Sequence, residues 1–280
     1  MRSQNRTRLS ILIAALLCLT LAPRLLEAIY VSPHAVFIDH GARAGQVTLG
    51  NTGESAEEVT VELRFGFPDT DSAGNPFIRF IDDPGPEFPS AVDWIRPYPR
   101  RLRLEPGDQQ VVRLLATPPD ELPDGEYWSR MIVTARGASI PIESSDTAVR
   151  AGVALEMRLI TSIIYRKGEV STGLTVRNFT AEVQGDSIEA WMDATRHGNG
   201  AYLGTANLEV LDQAGTVVRE WAIPTAIYFP TNRRFALPTL GIAPGTYDLR
   251  LSMVTERPDL RGGNVLDAPT VVRSAEIVVP

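Results

Sequence analysis

Apolar and polar residues alternate in short runs along most of this chain, as in "AVFID", "QVTLGNTG", "VTVELRF", "LRLEPG", "VVRLLA" and "WSRMIVTA". Strict alternation puts every second side chain on one face of a β-strand. Gly, Pro, Asn and Asp punctuate the runs, and no segment beyond the first residues holds a 3.6-residue apolar period. In "EPGD", 105–108, Pro106 fixes φ and Gly107 is free to take φ > 0, so the segment reads as a tight turn. "NTGE", 51–54, does a similar job. The same grammar restarts past Tyr165 with "GLTVRNFT", "SIEAWMDAT", "GTANLEVLDQAGTVVREW" and "GTYDLRLSMVT". Short strands with turns about every ten residues predict an all-β chain of two sandwiches meeting near "RKGE", 166–169.

One run is longer than the rest. In "GVALEMRLITSIIYR", 152–166, one face carries Val153, Leu155, Met157, Leu159, Thr161, Ile163 and Tyr165. The other face is mixed, with Arg158, Ile160, Ser162, Ile164 and Arg166 among its members. At ~3.3 Å per residue the strand reaches ~45 Å, more than one small sandwich covers. Two segments interrupt the alternation. The Pro- and Asp-rich stretch 69–99 reads as a long loop with a short strand, and 135–152 reads as an extended connection.

The first residues, "MRSQNRTRLSILIAALLCLTLA", place Arg2, Arg6 and Arg8 ahead of an uncharged apolar run. That is the pattern of a secretory signal peptide, expected over residues 1–28, with the apolar run too short for stable membrane insertion. Removing it shifts the net charge from −7 to −10, since four Arg and one Glu leave with it. Such an acidic chain is not expected to bind nucleic acid, whose phosphates call for a basic surface. The only cysteine, Cys18, lies in the signal, so burial rather than disulfides must hold the exported protein together.

No catalytic or metal-binding motif emerges. The three histidines, His34, His40 and His197, lack metal-ligand spacing, and neither a nucleophile elbow nor a phosphate-binding loop is present. "DTDSAGN", 69–75, resembles a calcium loop only faintly, with Ala73 at a ligand position and Phe80 where the closing Glu belongs. A polar hairpin loop is the expectation there. No enzyme activity, cofactor or metal is expected.

"LRLEPGDQQVVRLLATPPDELPDGEYWSRMIV", 102–133, resembles the signature of the PapD-like periplasmic chaperones of the chaperone–usher route. "VSPHAVFIDHGARAGQVTLGNTG", 31–53, and "IIYR", 163–166, are similar to the start and end of the same domain, while 167–280 shares only length and β grammar. The resemblance implies two immunoglobulin-like β-sandwich domains, 29–166 and 167–280, in the periplasm. It implies a chaperone that caps pilus or fibre subunits of incomplete immunoglobulin-like fold and works with an outer-membrane usher. The last strand of its first domain fills the subunit's gap, a form of strand addition. By this resemblance the donor residues are Val153, Leu155 and Met157.

The family's paired Arg and Lys, which hold the subunit's C-terminal carboxylate, fall on His34 and Ser162 here, with Arg158 a substitute on the same face as Ser162. The single lysine, Lys167, is out of register. The interdomain salt bridge implied by the resemblance consists of Glu126, Arg166 and Asp259. The missing basic pair leaves open a rival reading, a PapD-like structural or adhesive surface protein without chaperone activity.

Overall fold

The structure is a computed structural model that describes residues 29–137, 140–141, 152–153, 156–260 and 264–280. Its strands are β1 (Ile29–Ser32), β2 (Ala35–Asp39), β3 (Ala44–Asn51), β4 (Glu57–Thr70), β5 (Pro76–Ile81), β6 (Ile95–Tyr98), β7 (Arg101–Leu104), β8 (Gln109–Ala116) and β9 (Gly125–Gly137). They continue as β10 (Ile140–Pro141), β11 (Gly152–Val153), β12 (Glu156–Lys167), β13 (Thr172–Gln184), β14 (Ser187–Gly198) and β15 (Tyr202–Leu211). The last are β16 (Val217–Ile227), β17 (Thr231–Pro238), β18 (Gly245–Val254) and β19 (Val271–Val279). The fold is all-β, two immunoglobulin-like sandwiches in one chain.

In the first sandwich a sheet of order β1-β3-β8-β6 faces one of order β2-β12-β9-β4-β5, with β7 also paired to β4. In the second, β13-β14-β17 faces β16-β15-β18-β19. Alternation dictates which face is buried. In β8, Val112, Leu114 and Ala116 enter the first core while Val111, Arg113 and Leu115 stay in water. Gly107 takes φ +83° in the turn that leads into it. The second core closes on Val176, Met192, Leu208, Leu249 and Leu251. Where "NFT" interrupts β13, Asn178 sits at φ +50° in a bulge between Arg177 and Thr180, and its amide donates to Asp193 Oδ2 at 2.6 Å. Asn tolerates that left-handed conformation better than most residues.

Segment 69–99 departs from the expected loop. It holds the end of β4, all of β5 and all of β6. Its prolines sit where a missing N–H is tolerated, Pro76 at the start of the outermost strand of its sheet and Pro97 in edge strand β6. Likewise Ala135–Gly137 belongs to β9, and Ile140 and Pro141 pair with Val153 and Gly152, while the rest of the 135–152 connection lies outside the described residues. The Asp71 loop is a hairpin turn, whose carboxylate accepts the N–H groups of Ala73 and Asn75, both at 2.9 Å. No group of acidic, His or Cys side chains suited to a metal occurs among the described residues.

A third apolar cluster joins the sandwiches. Phe65, Phe67, Trp128 and Ile164 from the first meet Leu203 and Tyr228 from the second, with Trp128 and Tyr228 ring centroids 4.5 Å apart. β9 is therefore covered on both faces, which explains its nearly continuous burial.

Within the second core, Tyr202 is fully buried and its hydroxyl has no hydrogen-bond partner among the described residues. Burial pushes this phenol up to about 12 from its ordinary 10. Between those values the unfolded phenol gives up its proton while the folded one keeps it, so stability falls as pH rises through that window. Tyr202→Phe removes an unsatisfied buried hydroxyl, and we expect it to be at least as stable as the parent at pH 7. Above pH 10 its stability should also fall less steeply. Urea unfolding of both proteins from pH 7 to 11 checks this; parallel pH profiles would remove the assigned cause.

Candidate functional site

The site is built on β12. Along its whole length β12 pairs antiparallel with β9, from Glu156↔Arg136 to Lys167↔Gly125. On the other side β2 runs parallel to it, but only over Ser162–Arg166. Glu156–Thr161 therefore has a strand neighbour on one side only among the described residues. That leaves a row of backbone donors and acceptors turned outward, the template on which a foreign strand pairs.

Alternation then sorts the side chains along this open edge. Thr161, Ile163 and Tyr165 are buried in the first sandwich. Met157 and Leu159 pack against the same core but are only half-buried. The apolar stripe thus rises from the core interior to its rim as β12 leaves the cover of β2. Of the expected donor residues, Met157 lies on this rim, Val153 contributes backbone pairing to β11, and Leu155 lies outside the described residues.

On the opposite face of β12, Ser162 and Ile164 look toward the junction of the sandwiches, where Ile164 joins the third cluster. The Ser162 N–H donates to the carbonyl of His34 at 3.1 Å, so these two residues are brought together. Arg158 is not with them. Its guanidinium pairs with Glu156 at 2.7 Å, and Arg136 holds the other oxygen of that carboxylate at 2.7 Å. Those two cations hold the Glu156 carboxyl below the usual range.

The cation beside Ser162 is one the sequence reading missed. Arg130 on β9 is its direct cross-strand partner and donates through Nη1 to the Ser162 hydroxyl. Its Nε donates to the Gly66 carbonyl at 3.0 Å, and its guanidinium lies 5.3 Å from the centre of the Tyr228 ring. Arg130 is only 5% exposed, and its Nη2 has no hydrogen-bond partner among the described residues. The Ser162 hydroxyl, the Gly66 carbonyl and the Tyr228 ring that touch it are all neutral, so among the described residues the cation is solvated by dipoles and a ring face. A signal was present in "WSRMIV", where a base interrupts an apolar run, but placing it opposite Ser162 requires the β9–β12 register.

At the end of the same ladder Arg166 stands opposite Glu126 and donates through Nε to its Oε1 at 2.7 Å. The Glu126 carboxylate is fully buried. Its Oε2 accepts the Trp128 indole N–H at 3.1 Å and the backbone N–H of Ala201, from the second sandwich, at 2.7 Å. Asp259 is not part of this group. It forms a two-pronged pair with Arg257, at 2.7 and 2.6 Å, and that guanidinium holds the Asp259 carboxyl below its usual range. The two residues are close in sequence on one turn, so the local pair forms at little entropic cost.

No protein-family model matches the chain, and no curated protein matches it in sequence. Solved structures similar to it include the CsuC–CsuE chaperone–tip adhesion subunit pre-assembly complex from the archaic chaperone–usher Csu pili of Acinetobacter baumannii. That match has 14% identity and a TM-score of 0.44, covering 89% of this chain and 98% of that one. The YadV chaperone is similar at 13% identity and a TM-score of 0.46, covering 88% and 98%. The SafB chaperone, in complex with the SafA pilin of Salmonella enterica, is similar at 13% identity and a TM-score of 0.39, covering 92% and 99%.

Glu126→Ala strips the half-buried Arg166 of its counter-charge and leaves two further donors, the Trp128 indole and the Ala201 N–H, unmet. Removing one partner of a buried pair costs about 3–5 kcal/mol, and a loss of that size is expected in urea unfolding. Arg166→Ala, which leaves the fully buried Glu126 carboxylate without its counter-charge, should cost at least as much. Equal and small losses for both would reduce the contact to an ordinary surface pair.

Proposed function

We propose that the protein is a periplasmic chaperone that caps pilus or fibre subunits by donating β12 to an unfinished immunoglobulin-like fold. The observation that carries this reading is the one-sided stretch Glu156–Thr161, with Met157 and Leu159 on the core rim. A subunit strand paired there gains backbone hydrogen bonds along the edge, and alternate side chains enter its own open core. Burying each large apolar side chain contributes ~1.5–3 kcal/mol before association costs are subtracted. Val153 and Leu155, placed on the same face by the alternation of the sequence, belong to the same proposal. Export through a signal peptide over residues 1–28, sandwich domains 29–166 and 167–280, and handover to an outer-membrane usher belong to the same proposal.

Arg130 supports the reading further along β12. In place of the expected basic pair, we assign the subunit's carboxylate terminus to a site made by the Arg130 guanidinium, the Ser162 hydroxyl and His34. Arg suits a carboxylate better than a single-point cation does, because its donors are arranged as a fork. The rival reading of a structural or adhesive surface protein rests on the missing Arg and Lys pair, and an arginine beside Ser162 supports the chaperone reading over it. The mechanism is stoichiometric and calls for no cofactor.

The test is native mass spectrometry of the tagged protein taken from cells expressing their fibre genes. A 1:1 complex with a small β-rich subunit is expected, and it should be lost in a Leu155→Asp, Met157→Asp double variant of equal thermal stability. Met157→Asp alone should weaken the complex about 10- to 100-fold. Bare protein in every sample would return β12 to an ordinary half-buried strand and sink the proposal.

A further inference from the structure

The β4–β5 hairpin reaches beyond its own sandwich. At its tip, Gly74 offers its carbonyl to the Arg234 N–H on β17 at 3.0 Å. Asn75 Oδ1 accepts from Arg234 Nη1 at 3.1 Å, and the Thr70 and Thr231 hydroxyls lie 2.8 Å apart. Gly74 has φ +72°, and a Cβ there would stand 2.4 Å from the Trp191 ring and 2.7 Å from Arg234 Cβ. Glycine is thus required twice, for its backbone angle and for close approach to the second sandwich. Lower on the hairpin, Phe67 packs on Phe229 with ring centroids 4.5 Å apart.

The Glu126 contact lies on β9, one to two strands away from this hairpin in the order β12-β9-β4-β5, a lateral offset of ~5–10 Å. A single tie beside the connecting residues Lys167 and Gly168 acts as a pivot, whereas two ties set apart across the sheet fix an orientation. Apolar packing alone resists separation more than sliding, so domains joined by one chain crossing and the third cluster still call for directional ties to hold one angle. The geometry points to the β4–β5 hairpin as a strut that presets the angle between the sandwiches in the free protein. This inference stands whether or not β12 is donated to a subunit.

Spin-label distance measurements on the full chain test it. The labels go on Gln110→Cys and Ser274→Cys, both exposed, with Cys18→Ser removing the native thiol. The parent should give one narrow distance distribution. Gly74→Val should give one at least about twice as wide, because the tip can no longer seat on β17. Gly107→Val is the control. Its φ of +83° imposes similar backbone strain, but nothing lies within 4 Å of its Cβ position, so the distribution should stay narrow. Asn75→Ala with Thr231→Val removes only side-chain bonds and should also widen it, which keeps the test decisive if Gly74→Val does not fold. Parent-like widths in the folded hairpin variants overturn the strut. Widening in Gly107→Val would overturn it too, by tracing the effect to strain alone.

Discussion

The register of β12 against β9 is the constraint from which the site follows. One ladder sets Arg166 opposite Glu126, Ser162 opposite Arg130 and Glu156 opposite Arg136. The first pair lies where the sandwiches join, the second beside Tyr228 of the second sandwich and the third on the exposed end of the strand. Shifting β12 by one residue would turn Met157, Leu159 and Ile163 away from the core and bring Ile160 and Arg158 toward it. Side chains alternate with period two, so no partial slip is available. The burial of Ile163 and Tyr165 therefore does more than stabilise the first sandwich; it fixes the position of every functional side chain further along the strand.

The junction shows how a charge can be buried without weakening its surroundings. Glu126 receives three donors, from a guanidinium, an indole and a backbone N–H of the other sandwich. Each replaces a water lost on burial, and the last exists only when the sandwiches meet at the observed angle. Apolar packing of Phe65, Phe67, Trp128 and Tyr228 supplies the attraction between the two bodies. The carboxylate supplies direction, since misplacing Ala201 would leave it short of a donor in a dry site. Attraction and orientation thus come from different groups, and the hairpin contact at Arg234 adds a second point of orientation.

Much of the fold is legible in the alternation. β8, β9, β15 and β18 can be read directly, because a half-buried strand writes its two faces into the sequence. Glu126 and Arg166 were accessible by resemblance, and they meet. Three features were not legible, for physical reasons. β5 and β6 are hidden by prolines that only edge strands tolerate, and nothing local reveals which strands are edges. Arg130 is visible as a base in an apolar run, but its neighbour is set by pairing across a connection whose length leaves the register undefined. Asp259 was assigned across the junction, whereas its side chain was already claimed by Arg257 two positions away. Short-range pairs form without loop closure and so take precedence over long-range ones.

The open edge itself has a length that bears on its use. Glu156–Thr161 spans ~20 Å at ~3.3 Å per residue, about the length of one ordinary sandwich strand. An edge that size can hold a single partner strand but is too short to seed an extended sheet. Glu156 and Arg158 lie on it with exposed charges, and Arg136 stands beside them on β9. Inserted charges of this kind discourage indiscriminate pairing, because a neighbouring strand must accommodate them at fixed intervals. They occupy the face opposite Met157 and Leu159. Edge-to-edge association with unsuitable chains is thus penalised without placing any charge on the face that packs against the first core.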